Sequence, residues 1–142
     1  MIIPDINLLV YAYNADSPEH PRAKKWWENA LNSPLDLVGL PTAVLLGFIR
    51  IMTHPRIFPN PLYPSAAVSY AQSWLARPNV EPLAPGPNHF GILKELLDSL
   101  GTAGPLTTDA HIAAFAVETG AVVYSNDTDF FRFPGIRTEN PL

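Results

Sequence analysis

Two aspartates, Asp127 and Asp129, stand two residues apart just after the apolar run Ala121-Val-Val-Tyr124. That run is short and β-branched, so it reads as a buried strand. Carboxylates just past such a strand lie where open α/β sheets collect their chemistry. Asp5 follows a second short apolar stretch, and Asp109 stands where a helix is expected to begin. Each acid also has a plain structural reading. Asp5 and Asp109 could cap helices or meet a helix dipole, and Asn126 and Asp127 could close a turn on nearby backbone. The turn explains one or two of these residues better than the whole set. Two acids beside Phe130-Phe131 repel each other unless a cation stands between them.

Carboxylates from separated elements, with no cysteine in the chain and no clustered histidine, describe a hard oxygen-donor site. Magnesium or manganese suits such donors. With Asp5, Asp109 and Asp127 as ligands and Asp129 assisting, the fitting chemistry is in-line attack of water on a phosphate. The cation activates the water and neutralises the leaving oxygen. No nucleophile elbow, Walker loop or glycine-rich dinucleotide loop points to another chemistry. Asn7 and Arg50 are candidates for contacting substrate. Arg50, on an otherwise apolar helix, could reach a phosphate or pair with the acids, or be a plain surface arginine. His111 reads as packed or surface, and Trp26, Trp27 and Trp74 as core or partner surface.

The elements that must position these residues follow from the pattern. Met1 to Asp5 reads as a short strand, since Pro4 donates no hydrogen bond and fits a strand end. Ile6 to Tyr13 reads as a short helix. Ser17-Pro18-Glu19 is expected to open the next helix, with Ser17 as cap and Pro18 at the first helical position. It should run through Trp26, Trp27 and Leu31 to about Ser33. Asp36 to Leu40 is a second strand, and Pro41 to Thr53 a helix burying Val44, Leu45, Phe48, Ile49 and Met52. A proline-rich loop, Thr53 to Pro64, precedes a helix capped by Ser65 that ends near Arg77. Val80 to Leu83 is a short strand. Asn88 caps a helix that Gly101 terminates in the left-handed conformation. Gly101 to Thr108 reads as a flexible connection. Asp109 then opens a helix over Ala110 to Thr119, closed by Gly120. The Ala121 strand and an edge strand around Ile136 complete the chain. This alternation predicts an α/β fold with a mostly parallel sheet and helices on both faces.

Composition narrows the function classes. The chain of 142 residues is long enough for one domain with one core, and 47% hydrophobic content argues against global disorder. A formal charge of −4 argues against a simple basic nucleic-acid binder. It is compatible with an enzyme whose bound cations supply positive charge locally. The N-terminus lacks the pattern of a signal peptide, and no apolar run approaches the roughly 18 residues of a membrane span. A soluble, cytoplasmic protein is expected.

Four segments occur in order: Asp5-Ile-Asn-Leu-Leu-Val-Tyr-Ala12, Gly47-Phe-Ile-Arg50, Asp109-Ala-His-Ile-Ala113 and Ser125-Asn-Asp-Thr-Asp-Phe130. Together they resemble the PIN domain, and more narrowly the VapC-type toxins of bacterial type II toxin–antitoxin modules. The resemblance spans essentially the whole chain. It implies one PIN domain over residues 1–142, a three-layer α/β/α sandwich, and Mg²⁺- or Mn²⁺-dependent cleavage of RNA. It also implies a cognate VapB-type antitoxin that blocks the site, and a homodimer. Asp5, Asp109 and Asp127 match the first, third and fourth family acids. The second, usually a glutamate, is replaced by Gly47. That departure motivates a second reading, a non-catalytic PIN-like module that binds RNA or protein. A DNA-directed flap nuclease or exonuclease shares the site chemistry, but the short chain offers no duplex-binding element.

Overall fold

The computed structural model describes residues 1–142. Its sheet is built from β1 (Ile2–Pro4), β2 (Val38–Pro41), β3 (Val80–Leu83), β4 (Val122–Tyr124) and β5 (Arg137–Glu139). The spatial order is β3-β2-β1-β4-β5, with every neighbouring pair parallel. Ile2 stands opposite both Val38 and Val122. The chain moves outward from β1 to β2 and β3, then crosses back to β4 on the other side. The strand order therefore reverses between β1 and β4, and a crevice opens at their carboxyl ends. Ile3, Val38, Leu40 and Val123 are fully buried in this short sheet. Strands covered on both faces need apolar side chains throughout, which is why they read as continuous apolar runs rather than alternating ones.

Six helices pack around the sheet: α1 (Ile6–Tyr13), α2 (His20–Asn32), α3 (Thr42–Met52), α4 (Pro64–Leu75), α5 (His89–Leu100) and α6 (Thr107–Thr119). Val44, Phe48 and Met52 form one buried stripe at four-residue spacing along α3. Nearly the whole of α6 from Ala110 to Ala116 is buried, because its alanines let neighbouring elements close in from several sides. Trp27 and Trp74 meet edge to face at 5.5 Å, and the Trp74 indole N–H donates to the Tyr13 hydroxyl at 2.8 Å. Trp26 is only half-buried and stacks on Tyr124.

Several helix starts differ from the sequence expectation. The helix expected at Ser17-Pro18 begins at His20 instead. The Ser17 hydroxyl donates to the Glu19 carboxylate and accepts the Glu19 N–H, so it closes a local turn rather than capping a helix. Pro21, in the first helical turn, costs no hydrogen bond there. Helix α4 starts one residue before its expected cap, with Pro64 at its N-terminus. Pro41 ends β2 and does not open α3. The connection expected to be flexible holds a 3₁₀ turn at Gly104–Leu106, where the Thr107 hydroxyl donates to the Gly104 carbonyl at 2.8 Å. This turn starts α6 at Thr107, so Asp109 lies within the first helical turn instead of ahead of it. Gly101 and Gly120 do end α5 and α6 with φ of 70°. No helix is long and apolar enough to cross a membrane.

One polar group is sealed between α5 and α6. His89 is fully buried, with Nδ1 at 2.5 Å from Glu118 Oε1 and Nε2 at 2.9 Å from His111 Nδ1. The carboxylate accepts, so His89 Nδ1 carries the proton. Glu118→Ala strands that N–H in the interior. The expected cost is about 1–3 kcal/mol, read as a lower urea midpoint with an unchanged m-value.

Candidate metal centre

Asp5 ends β1, and its backbone N–H donates to the Tyr124 carbonyl at 2.8 Å, fastening it to the end of β4. Its side chain is only 6% exposed. Oδ1 accepts the Ile6 N–H at 2.7 Å and Oδ2 accepts the Ser125 hydroxyl at 2.7 Å. Asp5 is therefore the N-cap of α1 as well as a member of the acidic pocket. Capping uses part of each carboxylate, and ionised oxygens retain further lone pairs for other partners.

Ser125 is the joint on which the pocket turns. Its Oγ donates to Asp5 and accepts the Asp127 N–H at 2.8 Å and Asn7 Nδ2 at 3.4 Å. One donor and two acceptors exhaust the hydroxyl. Asp127 Oδ1 in turn accepts the Asp129 N–H at 2.9 Å, opening the 3₁₀ turn Thr128–Arg132. That turn buries Phe130 and leaves Phe131 exposed, so the chain folds Asp129 back beside Asp127.

One carboxylate oxygen from each of Asp109, Asp127 and Asp129 lies within 4.8 Å of the others. Asp5, Asp109 and Asp127 also line a single crevice of about 360 Å³, with Ile6, Asn7, Val10, Tyr11 and Ile51. The ion pairs of the chain lie elsewhere, at Lys24–Glu28 and Lys94–Asp98. No basic side chain offsets the four acids. Burial pushes the Asp109 carboxyl up to about 7, helped by the negative charges of Asp5, Asp127 and Asp129. Burial also raises Asp5, opposed by its hydrogen bonds from Ser125 and Ile6. Asn7 adds a buried Oδ1 with no hydrogen-bond donor. Crowded oxygen donors, excess negative charge and an orphaned acceptor fit a hard divalent cation.

Arg50 is not brought to this crevice. It is exposed, makes no ion pair with the acids, and leaves the wall to its neighbour Ile51. A helix turns about 100° per residue, so adjacent side chains face different ways. Gly47 is buried under α1: a Cβ there would sit 2.3 Å from Ile6 Cδ1. Ile6 occupies the room a side chain at position 47 would need, and Ile6, Val10 and Ile51 make that wall of the crevice apolar. Sequence reasoning gave Ser125 no role. Its only signal was position, a small hydroxyl residue between a strand end and an aspartate.

The PIN domain profile matches residues 2–136. A ribonuclease of Mycobacterium tuberculosis named VapC33 is 46% identical over 142 residues, covering 100% of this chain and 99% of that protein. Among solved structures, Mycobacterium tuberculosis VapC20, described as a sarcin–ricin loop cleaving toxin, superposes with a TM-score of 0.70. It is 22% identical and covers 96% of this chain and 99% of that one. A chain of a toxin–antitoxin complex from Klebsiella pneumoniae superposes with a TM-score of 0.64 at 14% identity, covering 100% and 98%. At these identities the two structures bear on the fold alone.

The raised Asp109 carboxyl has a measurable consequence. The folded, cation-free chain binds its proton more tightly than the unfolded chain, whose aspartates titrate near 3.8. The resulting stabilisation is complete below pH 3.8 and is lost as the pH rises through about 7. In EDTA, the melting temperature should be higher at pH 6 than at pH 8. Added MgCl₂ should raise it more at pH 8, where Asp109 is already ionised. Asp109→Asn should flatten both responses in a scan of melting temperature against pH.

Proposed function

The chain belongs to the PIN domain family and to its VapC-type ribonucleases, and from that premise we propose that it is the toxin of a type II toxin–antitoxin module. In this reading it is a Mg²⁺-dependent endoribonuclease, and residues 1–142 act as one PIN domain. The observation that carries it is the convergence of Asp109, Asp127 and Asp129 within 4.8 Å, beside Asp5 and without a basic partner.

Asp109, Asp127 and Asp129 are the direct ligands in this reading, and Asp5 completes the donor set from the crevice floor. Magnesium or manganese, when bound, supplies the charge that makes water nucleophilic and offsets the leaving oxygen of the phosphodiester. The protein contributes position. The Ile6 N–H and the Ser125 hydroxyl hold the Asp5 carboxylate in one orientation, and Asp127 N–H on Ser125 fixes the loop that carries two further acids. Asp109, whose carboxyl burial pushes up to about 7, would give up its proton in order to hold the cation. Asn7, which lines the crevice, is the candidate for contacting the RNA in this reading. Arg50, exposed on α3, is left for phosphate contacts outside the crevice.

A VapB-type antitoxin neutralises the site by placing an arginine among the carboxylates, where a planar guanidinium can bridge several oxygens. Leu46 on α3, and Ile57 and Tyr63 in the α3–α4 connection, are exposed and supply apolar surface for the antitoxin or for the second copy of a homodimer. The protein acts in the cytoplasm. A second reading, a non-catalytic binding module, draws on the apolar wall at Ile6 and Gly47, where the family usually has a glutamate.

Purified protein should cut single-stranded RNA with Mg²⁺ or Mn²⁺ and stop in EDTA. Asp5→Asn and Asp109→Asn should abolish cutting with unchanged circular dichroism. Ser125→Ala, which only orients ligands, should cost about 10- to 100-fold in rate. Undiminished cutting by Asp109→Asn, or in EDTA, would reject the metal mechanism. No cutting of any RNA, with binding retained, would favour the non-catalytic reading.

A further inference from the structure

A second cavity, of about 260 Å³, lies beyond the other end of α1. Its walls are aromatic: the Tyr13 and Tyr70 rings meet at 4.6 Å between centroids with their planes tilted by 53°, and the buried Trp27 lines it. The volume falls below the roughly 300–1,000 Å³ of drug-sized sites and suits one ring system. Its polar groups are unusually complete. His20 Nδ1 lies 2.8 Å from the Tyr11 carbonyl, an acceptor, so Nδ1 carries the proton and Nε2 is left as an acceptor. Lys24 and Glu28 stand at the rim, 4.0 Å apart, with side chains 56% and 61% exposed. Trp27 is buried beneath these groups, its Nε1 without a well-aligned hydrogen-bond partner.

We infer that this cavity is a base-binding subsite for single-stranded RNA and that the base it takes is guanine. The exposed part of the Tyr70 ring offers a face on which a base can stack, and side chains at the rim read its Watson–Crick edge. Guanine presents two adjacent donors and a carbonyl acceptor on that edge. The Glu28 carboxylate accepts from both donors with its two oxygens, and the Lys24 ammonium donates to the carbonyl. Adenine and cytosine offer the carboxylate one donor group each on that edge, and uracil offers a single ring N–H. The cavity is also correctly placed for a strand held at the acids. Asp5 caps the start of α1 and Tyr13 ends it, and a helix of 8 residues spans about 12 Å. Ile6, Val10 and Tyr13 share one face along that length, leading from the acidic crevice to the cavity. The inference rests on the ribonuclease reading for the identity of its ligand.

The test uses free nucleosides, which carry no phosphate and make no demand on the acidic crevice. Each is titrated into ¹⁵N-labelled protein in EDTA, following the Trp27 indole N–H and the Tyr70 amide. Guanosine is expected to shift both and to bind at least about tenfold more tightly than the other three. Tyr70→Ala and Glu28→Gln, both at exposed positions, should each weaken guanosine by about tenfold. The inference is overturned if guanosine moves neither resonance. It is equally overturned if all four nucleosides bind alike and both variants bind as the parent does, which is adventitious stacking only. Guanosine binding without RNA cleavage would leave the subsite standing and remove the nuclease. Cleavage without guanosine binding would do the reverse.

Discussion

Parallel pairing of β1 with β4 brings together Asp5 and Ser125, side chains 120 positions apart in the chain, and everything in the acidic crevice hangs from it. The pairing is short, with Ile2, Ile3 and Pro4 against Val122, Val123 and Tyr124. Pro4 can donate nothing to the ladder. The backbone N–H of Asp5 supplies the next hydrogen bond, to Tyr124, and so the residue proposed to help hold a cation also closes the sheet. A residue with two such duties is held to sub-ångström placement by the same bonds that hold the strands. This is the economical way to fix a ligand on a rigid element rather than on a loop.

The crevice is also a place where stability is surrendered. Carboxylates packed beside one another without a counter-charge raise the free energy of the folded chain unless one is protonated or a cation is present. Asp109, pushed to about 7, shows that tension most clearly. The buried Asp5 shares it, eased by the Ser125 hydroxyl and the Ile6 N–H. The aromatic cluster of Trp27, Trp74, Phe48 and Tyr13 and the nearly all-buried α6 supply the compensating apolar burial. Asp109, the acid under most tension, is thus mounted on one of the best-packed elements of the fold.

Much of the architecture was legible because it is written in local patterns. β-Branched runs marked the strands, glycines at φ of 70° closed α5 and α6, and alternation predicted the parallel sheet. Asp5, Asp109 and Asp127 stood out because each sits at an element boundary, where both capping and function place aspartate. Two of the misplaced helix starts have a common cause. At Ser17 and at Thr107 a hydroxyl is committed to a turn hydrogen bond, and sequence does not reveal which backbone group a hydroxyl chooses. For Arg50 the pattern left a phosphate contact, a pairing with the acids and a plain surface position all open, and only the rotation of α3 shows that Ile51 lines the crevice while Arg50 is exposed. Ser125 and the His89–Glu118 pair were missed for a different reason. Their partners lie 120 and 29 residues away, beyond any periodicity.

The close pass of Gly47 over Ile6 has an evolutionary reading. With only 2.3 Å between a would-be Cβ and Ile6 Cδ1, the two positions are interlocked, and the order of change matters. An acid at position 47 needs the end of Ile6 to swing aside or position 6 to be smaller, and shrinking position 6 alone opens a hole at the edge of the crevice. Either single change is therefore expected to cost stability. Relatives that carry the acid and those that lack it should therefore differ at both sites together, as two separated sequence islands rather than a continuum.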